Sequence, residues 1–211
     1  ELKLKNIYYI KSKFLGSKIN QISNYFNDTL KQSSNFLNKE KIKFGIVLGD
    51  RYETMAFSLA CFNNGINLAH FCGGTTTLGS KDNIYRKITS SISKLHLVET
   101  IESKKNLLDI GIRKKNIFVV GAPALEQINL KKKFTKEKKN QILFSFHPET
   151  NKSTLINERN LKISLEFLKS LKEKIIITYP NADEGFENFI KLLNKYKKNK
   201  YFSVIKNLGI I

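Results

Sequence analysis

The sequence lacks any apolar run approaching the roughly 20 residues that a membrane-spanning helix requires, so no transmembrane segment and no membrane partner are expected. It has only two cysteines, Cys61 and Cys72, which are too few for a disulfide framework. A reducing, cytoplasmic setting is therefore expected. Hydrophobic residues still make up 41% of the chain, enough for a buried core, and this excludes a disordered tail as the whole protein.

Acidic residues are also scarce: 18 stand against 37 lysines and arginines, for a net charge of +19. Such an excess can indicate a nucleic-acid or anionic-surface partner. However, only four of the basic residues are arginines, and isoleucine and asparagine are abundant, which is the bias that a low-GC genome imposes on any protein. The lysines are scattered and show no interleaving with aromatic residues. We therefore expect solvated lysine-rich faces and no nucleic-acid partner.

Short apolar runs alternate with segments of helical periodicity along the chain. Strands are expected at 44–49, 66–71, 95–98, 116–120, 142–146, 174–179 and 201–205, and helices at 16–38, 55–62, 82–92, 100–110, 161–171 and 187–196. Asp82 and Thr100 are expected to cap their helices, and the charged segment 130–140 to link two domains. Strand–helix alternation predicts parallel sheets with right-handed crossovers. The prediction is an α/β protein of two incomplete Rossmann-like lobes, residues 1–135 and 136–211.

Ligands of such sheets bind at the carboxyl ends of strands, and polar clusters stand at these places here. The first cluster contains Asp50, Arg51 and Glu53, directly after a buried strand. A carboxylate there can act as an acid or base, and an arginine can bind a phosphate through two parallel hydrogen bonds. The alternative is that this is an ordinary helix N-terminus, where acidic side chains interact favourably with the positive end of the helix dipole.

The second cluster follows the next strand and comprises His70, Cys72, Gly73, Gly74, Asp82 and Arg86. The two glycines would let a ligand approach the backbone. Asp82 and Arg86 lie four residues apart on one helix face, and by themselves they are most simply explained as an ordinary ion pair with Asp82 as the N-cap. Neither His70 nor Cys72 has the partner spacing of a zinc site or a cysteine triad, so no metal is expected.

Two further clusters follow strands of the second lobe. His147 can contact a phosphate or move a proton, although a lone histidine is more often structural. Asn181 and Asp183 belong to a loop that would also form as a simple turn and helix cap. Because no glycine-rich dinucleotide loop or Walker loop is present, the residues alone predict a cleft that binds a phosphorylated, nucleotide-linked ligand.

Eight segments, taken in order, resemble the hydrolysing UDP-N-acetylglucosamine 2-epimerases from about Gly45 to the end. They are VLGDRYE at 47–53, AHFCGG at 69–74, DNIYR at 82–86, ITSSISKLHLV at 88–98, FVVGAP at 118–123, SFHPET at 145–150, TYPNAD at 178–183 and KNLG at 206–209. The resemblance implies the two-Rossmann glycosyltransferase B fold of the UDP-glycosyltransferase and glycogen phosphorylase type, with the active site between the lobes. It also implies a UDP-sugar substrate, a role in making sialic-acid-like or legionaminic-acid sugars, no cofactor or metal, and a homo-oligomer.

The resemblance further implies elimination of UDP to a glycal, followed by hydration and reprotonation at C2. This chemistry needs a base for a weakly acidic C–H bond and positive charge on the departing diphosphate. By position, the acid–base carboxylates would be Asp50 and Asp82, with the choice between them open. The diphosphate would be held by Arg51, Arg86 and His147, with His147 also helping departure. The remaining binding positions would be Glu53, Gly73, Gly74, Asn181 and Asp183.

The chain departs from the family pattern at three positions. Cys72 stands where His or Glu is common, Thr75 where Glu is common, and Asn83 where a second acidic residue follows Asp82. Each change removes or weakens a polar group, so a shifted substrate preference or reduced activity is expected. The chain starts at Glu1 and lacks the family's opening Gly-Thr-Arg-type loop and its late Ser/Gly-rich loop. We therefore expect a fragment that cannot turn over substrate alone.

Two alternatives stay open from the sequence. A glycosyltransferase of the same fold would transfer the sugar to an acceptor instead of releasing it. An inactive homologue would only bind a nucleotide sugar, as the residues at 72 and 75 would permit.

Overall fold

A computed structural model describes residues 7–13, 19–127, 141–181 and 185–208. The chain divides into two compact units: the first runs to Leu130 except for two short segments, and the second comprises Ser17–Ile19, Leu78–Ser80 and Lys131–Ile211. The predicted linker at 130–140 and the boundary at 135 lie outside the described residues. No helix in the described part of the chain is long and apolar enough to cross a membrane.

The first unit is a parallel sheet with its strands in chain order. Its elements are α1 (Ile19–Glu40), β1 (Phe44–Leu48), α2 (Tyr52–Asn63), β2 (Asn67–Phe71), α3 (Asp82–Ile92), β3 (Leu95–Val98), α4 (Ile101–Asp109) and β4 (Ile117–Val119). The strands pair in the order β1-β2-β3-β4, all parallel. In this register Val47, His70, His96 and Ile117 lie side by side across the sheet. The parallel pairing therefore agrees with the strand–helix alternation.

The second unit repeats the pattern with three parallel strands. Its elements are β5 (Gln141–Ser145), α5 (Thr154–Ser170), β6 (Lys174–Thr178), α6 (Phe186–Tyr196) and β7 (Phe202–Ile205). The strands pair in the order β5-β6-β7. Each sheet therefore brings the carboxyl ends of its strands to one edge.

Each unit contains its own apolar core, because the helices bury one face against a sheet. The first unit has two clusters: Leu37, Val47, Ala60, Cys61, Ile66 and Leu68 in one, and Val98, Leu107 and Ile117 in the other. The second unit's core comprises Leu161, Leu165, Leu168, Ile175, Ile177, Phe189, Leu192, Leu193 and Phe202. Burial raises the pKa of the Cys61 thiol to about 11, so this cysteine is an inert core residue.

Helix α5 begins at Thr154 and not at the predicted 161, because Ser153 precedes it as an N-cap. The Ser153 hydroxyl accepts a hydrogen bond from the Ile156 amide. The predicted apolar position Ile163 is 59% exposed. Ile163 lies two residues from both Leu161 and Leu165, so its side chain points away from the helix face that these two leucines share.

The predicted caps of α3 and α4 have different outcomes. Thr100 caps α4 as predicted, since its hydroxyl accepts from the Ser103 amide at 3.0 Å. The prediction that Asp82 caps α3 is wrong, because Asp82 is the first helical residue and Lys81 holds the cap position. Lys81 has helical backbone angles and makes no side-chain cap bond, so the extended conformation that favours an Asp cap is absent.

Candidate functional site

The sheet edge of the first unit carries a polar residue at the end of three successive strands. Asp50 follows β1, Cys72 follows β2 and Glu99 follows β3. The strands are parallel neighbours, so these residues occupy one edge. Asp50 belongs to the first cluster predicted from the sequence and Cys72 to the second, whereas Glu99 was not predicted as a site residue. The same strand-end rule could have found it.

Asp50 forms an ion pair with Arg86, whose side chain is only 7% exposed. Arg86 reaches from α3 and donates from Nη2 to Asp50 Oδ2 and from Nη1 to the Thr75 carbonyl and to Asn83 Oδ1. Arg86 therefore pairs across the sheet edge with Asp50 and not along its own helix with Asp82. Because a buried guanidinium must have its donors satisfied, this network fixes both the Asp50 carboxylate and the loop at Thr75.

His70 is fully buried directly beneath the Asp50 turn. Its Nε2 lies 2.8 Å from the Gly49 carbonyl oxygen and its Nδ1 lies 3.0 Å from Ser90 Oγ. A carbonyl can only accept, so Nε2 carries the proton and Nδ1 accepts from the Ser90 hydroxyl. Burial lowers the pKa of His70, which keeps the ring neutral. The side chain therefore ties the end of β1 to α3.

Gly73 and Gly74 have a packing explanation within the unit. A Cβ on Gly73 would lie 2.8 Å from Ser90 Oγ and 3.0 Å from His70 Nδ1. Gly74 has a φ of +76°, and a Cβ there would overlap the Ser103 carbonyl oxygen. Both positions therefore need glycine whether or not a ligand binds, and the approach of a ligand to this backbone stays a prediction.

Cys72 is a non-glycine residue in the left-handed region, with a φ of +61°. Burial, and next the Glu99 carboxylate, raise the pKa of its thiol to about 11, with a smaller contribution from Asp50. The thiol is therefore protonated at neutral pH and is a poor nucleophile. Among the described residues no group of three or more His, Cys, Asp or Glu side chains could hold a metal ion.

Arg51 and Glu53 pair with each other at the start of α2. Arg51 Nε lies 3.2 Å from Glu53 Oε2, and the two side chains are 34% and 31% exposed. The guanidinium also lies 5.2 Å from the centre of the Tyr52 ring. The three charges of the first predicted cluster are thus separated: Asp50 is held by Arg86, and Arg51 and Glu53 remain partly accessible.

The sheet edge of the second unit lines a cleft of about 460 Å³. Its walls comprise Ser145, His147, Thr178, Tyr179, Pro180, Asn181, Phe186, Ile190, Lys206, Asn207 and Leu208. His147 Nε2 lies 3.2 Å from Ser145 Oγ, which in turn accepts from Thr178 Oγ1 at 2.8 Å. His147 and Asn181 thus line one cleft as strand-end residues, Lys206 adds a cation that the sequence reasoning did not single out, and Asp183 lies outside the described residues.

Solved structures share this fold. The chain is similar to the UDP-GlcNAc 2-epimerase of Methanocaldococcus jannaschii in complex with UDP-GlcNAc and UDP, with a TM-score of 0.73 and 21% identity over 89% of this chain and 56% of that one. The predicted class, two Rossmann-like units of the glycosyltransferase B type, is confirmed.

Curated relatives and a family profile agree in sequence. The chain is 33% identical to GDP/UDP-N,N'-diacetylbacillosamine 2-epimerase (hydrolyzing) of Campylobacter jejuni, over 78% of this chain and 46% of the relative. It is 30% identical to UDP-N,N'-diacetylbacillosamine 2-epimerase (hydrolyzing) of Legionella pneumophila, over 77% and 45%. It thus spans about half the length of the relatives it matches. The profile described as UDP-N-acetylglucosamine 2-epimerase matches residues 2–211, and the chain therefore belongs to this family.

Proposed function

We propose that the full-length protein is a hydrolysing UDP-sugar 2-epimerase. It removes the C2 proton and the UDP group of a UDP-acetamido sugar, adds water at the anomeric carbon, and returns a proton to the opposite face of C2. The similarity to two proteins named as hydrolysing 2-epimerases carries this proposal. The substrate is UDP-N-acetylglucosamine or a UDP-linked diacetamido sugar, and the released 2-epimer is of the N-acetylmannosamine type that serves sialic-acid-like sugars.

In the first unit, Asp50 and Asp82 are the proposed acid and base. A proton transfer to or from carbon requires a carboxylate held at a fixed position. Arg86 holds the Asp50 carboxylate in such a fixed position. We assign Arg86 a positioning role because its Nη atoms donate to Asp50, Thr75 and Asn83. Asp82 lies half-buried at the first residue of α3.

The same unit offers a cation for the diphosphate in Arg51. Its guanidinium is about one-third exposed beside Glu53, so it can turn towards a phosphate oxygen while Glu53 keeps it near the sheet edge. Gly73 and Gly74 keep side chains off the adjacent backbone, which is the proposed approach for the sugar.

In the second unit, the cleft at the ends of β5, β6 and β7 is the proposed nucleotide site. His147 and Lys206 provide an imidazole and an ammonium group for phosphate oxygens, and Asn181 provides an amide for the nucleotide sugar. We propose that His147 stabilises the departing UDP. Asp183, from the sequence alone, is the proposed neighbour of Asn181.

The cellular setting and assembly belong to the same proposal. Two free cysteines fit the reducing cytoplasm. A homo-oligomer without a nucleic-acid or membrane partner, and without a metal or cofactor, stays our prediction, and light scattering of the full-length protein measures the assembly.

The deciding experiment follows the proton at C2. The full-length protein is incubated in D2O with UDP-N-acetylglucosamine and, separately, with UDP-N,N'-diacetylbacillosamine, and the products are followed by proton NMR. We expect free UDP and a C2-deuterated 2-epimer from one of the two. Asp50→Asn should lower this turnover at least about 100-fold, the range for loss of an acid–base group. Asp109→Asn, an exposed change on α4, serves as the matched control.

Other products would identify the alternatives. Release of UDP with an intact C2 proton, dependent on an added acceptor, would indicate a glycosyltransferase. Binding of UDP by calorimetry without turnover of either sugar would indicate an inactive homologue. Each of these results contradicts the proposed reaction.

A further inference from the structure

Cys72 lies at the centre of the first unit's sheet edge, with a carboxylate on each side. It directly follows β2, the strand between β1 and β3. Asp50 follows β1 on one side, and Glu99 follows β3 on the other. The Cys72 thiol interacts with Glu99 by a hydrogen bond and with Asp50 and Arg86 through their charges. A group bound over the end of β2 would therefore have one carboxylate on either flank.

The two carboxylates are held in different ways. Asp50 is paired with the buried Arg86 guanidinium. Glu99 is half-buried, and within the described ranges no lysine or arginine forms a salt bridge with it. Its Oε2 accepts from Thr75 Oγ1 at 3.4 Å, and Thr75 Oγ1 lies 3.2 Å from Ser103 Oγ. Glu99 is thus oriented by a thiol and a hydroxyl and not by a cation.

The two side chains beside Glu99, Cys72 and Thr75, cannot act as acid–base groups themselves. With its pKa raised to about 11, the Cys72 thiol is too weak an acid to serve as a proton donor and acceptor near neutral pH. The Thr75 hydroxyl is weaker still as an acid. Glu99 is the carboxylate in contact with both of these side chains.

We propose that Glu99 is a catalytic carboxylate on the β3 flank of the site, opposite Asp50 on the β1 flank, and takes the second acid–base role in place of Asp82, because positions 72 and 75 lack a proton-transfer group. This inference rests on the proposed function. Inversion at C2 needs proton transfer on both faces of the sugar. One carboxylate takes the C2 proton, the C–H electron pair becomes the C1–C2 double bond, and the C1–O bond breaks with its electrons leaving on UDP. The carboxylate on the other face then donates its proton to C2, and water adds to C1 while it gives up one proton to the carboxylate that has just been ionised.

The test compares Glu99→Gln with Glu102→Gln in the full-length protein. Both remove one negative charge, but Glu102 is exposed on the first turn of α4 and is not one of the proposed site residues. We expect Glu99→Gln to lower kcat at least about 100-fold, as for an acid–base group, with the affinity for UDP and the melting temperature unchanged. Glu102→Gln should keep wild-type kcat.

A second variant separates catalysis from structure. Adding Cys72→Glu to the Glu99→Gln protein returns a carboxylate to the neighbouring strand end, in reach of the place that Glu99 occupied, and we expect kcat to recover at least about tenfold. If Glu99→Gln keeps kcat within fivefold of wild type, or loses kcat together with UDP binding and without recovery by Cys72→Glu, the role of Glu99 is overturned. If the wild-type protein releases no UDP from either sugar, the proposed function itself fails and Glu99 has no reaction to serve.

Discussion

At the scale of single residues, Arg86 holds the most demanding position in the first unit. Its guanidinium is almost fully buried and serves Asp50, the Thr75 carbonyl and Asn83 together. Arg86→Lys keeps the charge but offers a point ammonium that cannot reach all three acceptors. We expect the free energy of unfolding to fall by about 1–3 kcal/mol, the cost of leaving buried polar groups unpaired.

Denaturant unfolding of the full-length protein measures this loss. Arg113→Lys is the matched control, because Arg113 is exposed and the change should stay within about 0.5 kcal/mol. Equal stability of Arg86→Lys and wild type would show that the network at Asp50 does not constrain the sheet edge.

The sequence could predict which residues stand at strand ends but not how they pair. Asp50 was predicted at the end of a strand because the apolar run before it is short and β-branched. Its pairing with Arg86 joins residues 36 apart and depends on where α3 packs, which no local pattern contains. Glu99 was missed for a related reason: it stands alone after β3, and its contact with Thr75 exists only once the sheet has formed.

At the scale of elements, the sequence pattern located the seven strands of the described residues to within one residue at each end, and the larger errors fell at helix boundaries. Helix α4 was predicted well because Thr100 and Gly111 mark its two ends. Helix α5 was predicted to begin late because its first turns bury Asn157, a polar residue that an apolar pattern does not count. The side chain of Asn157 instead bonds to the backbone of Glu149 on both its oxygen and its nitrogen.

His70 and His96 are paired in the register of the first sheet, but replacement by leucine should change the stability of the protein differently at the two positions. His70 on β2 and His96 on β3 are both buried, but His70 bonds to Gly49 and Ser90. Among the described residues neither ring nitrogen of His96 makes a hydrogen bond of normal geometry, and the Ser93 backbone interacts with the ring only weakly. His70→Leu should therefore cost about 1–3 kcal/mol at pH 7. His96→Leu should be neutral or stabilising, since it removes unsatisfied polar atoms from the core.

Thermal and denaturant unfolding of the two variants at pH 7 gives the comparison. A large loss of stability in His96→Leu would mean that the ring packs in a way that an aliphatic side chain cannot replace. An unchanged stability in His70→Leu would mean that its two bonds do not hold the Asp50 turn in place.

At the scale of the whole molecule, the two units have separate cores and different sensitivity to acid. Burial lowers the pKa of His96 from 6.5 to about 4 and lowers that of His70 as well, and both belong to the first unit. The third histidine, His147, is exposed in the second unit. An acid-dependent loss of stability should therefore concentrate in the first unit.

The direction follows from the order of the two pKa values. A histidine whose folded pKa lies below its unfolded value stabilises the protein fully above the unfolded pKa, and this contribution is lost as the pH falls through the folded value. For His96 the window runs from pH 6.5 to about 4. At about 1.4 kcal/mol per pH unit, the free energy of unfolding should fall by about 3 kcal/mol over this window. His70 acts in the same direction below its unfolded pKa.

Amide hydrogen exchange of the full-length protein at pH 7 and pH 5, with rates corrected for intrinsic exchange, tests this localisation. We expect protection to fall in β1, β2 and β3 at pH 5, while β5, β6 and β7 keep theirs. His96→Leu should remove part of the pH effect from the first sheet and leave the second sheet as it was. An equal loss of protection in both sheets would mean that the acid sensitivity arises from groups other than the two buried histidines, because only the first unit contains them.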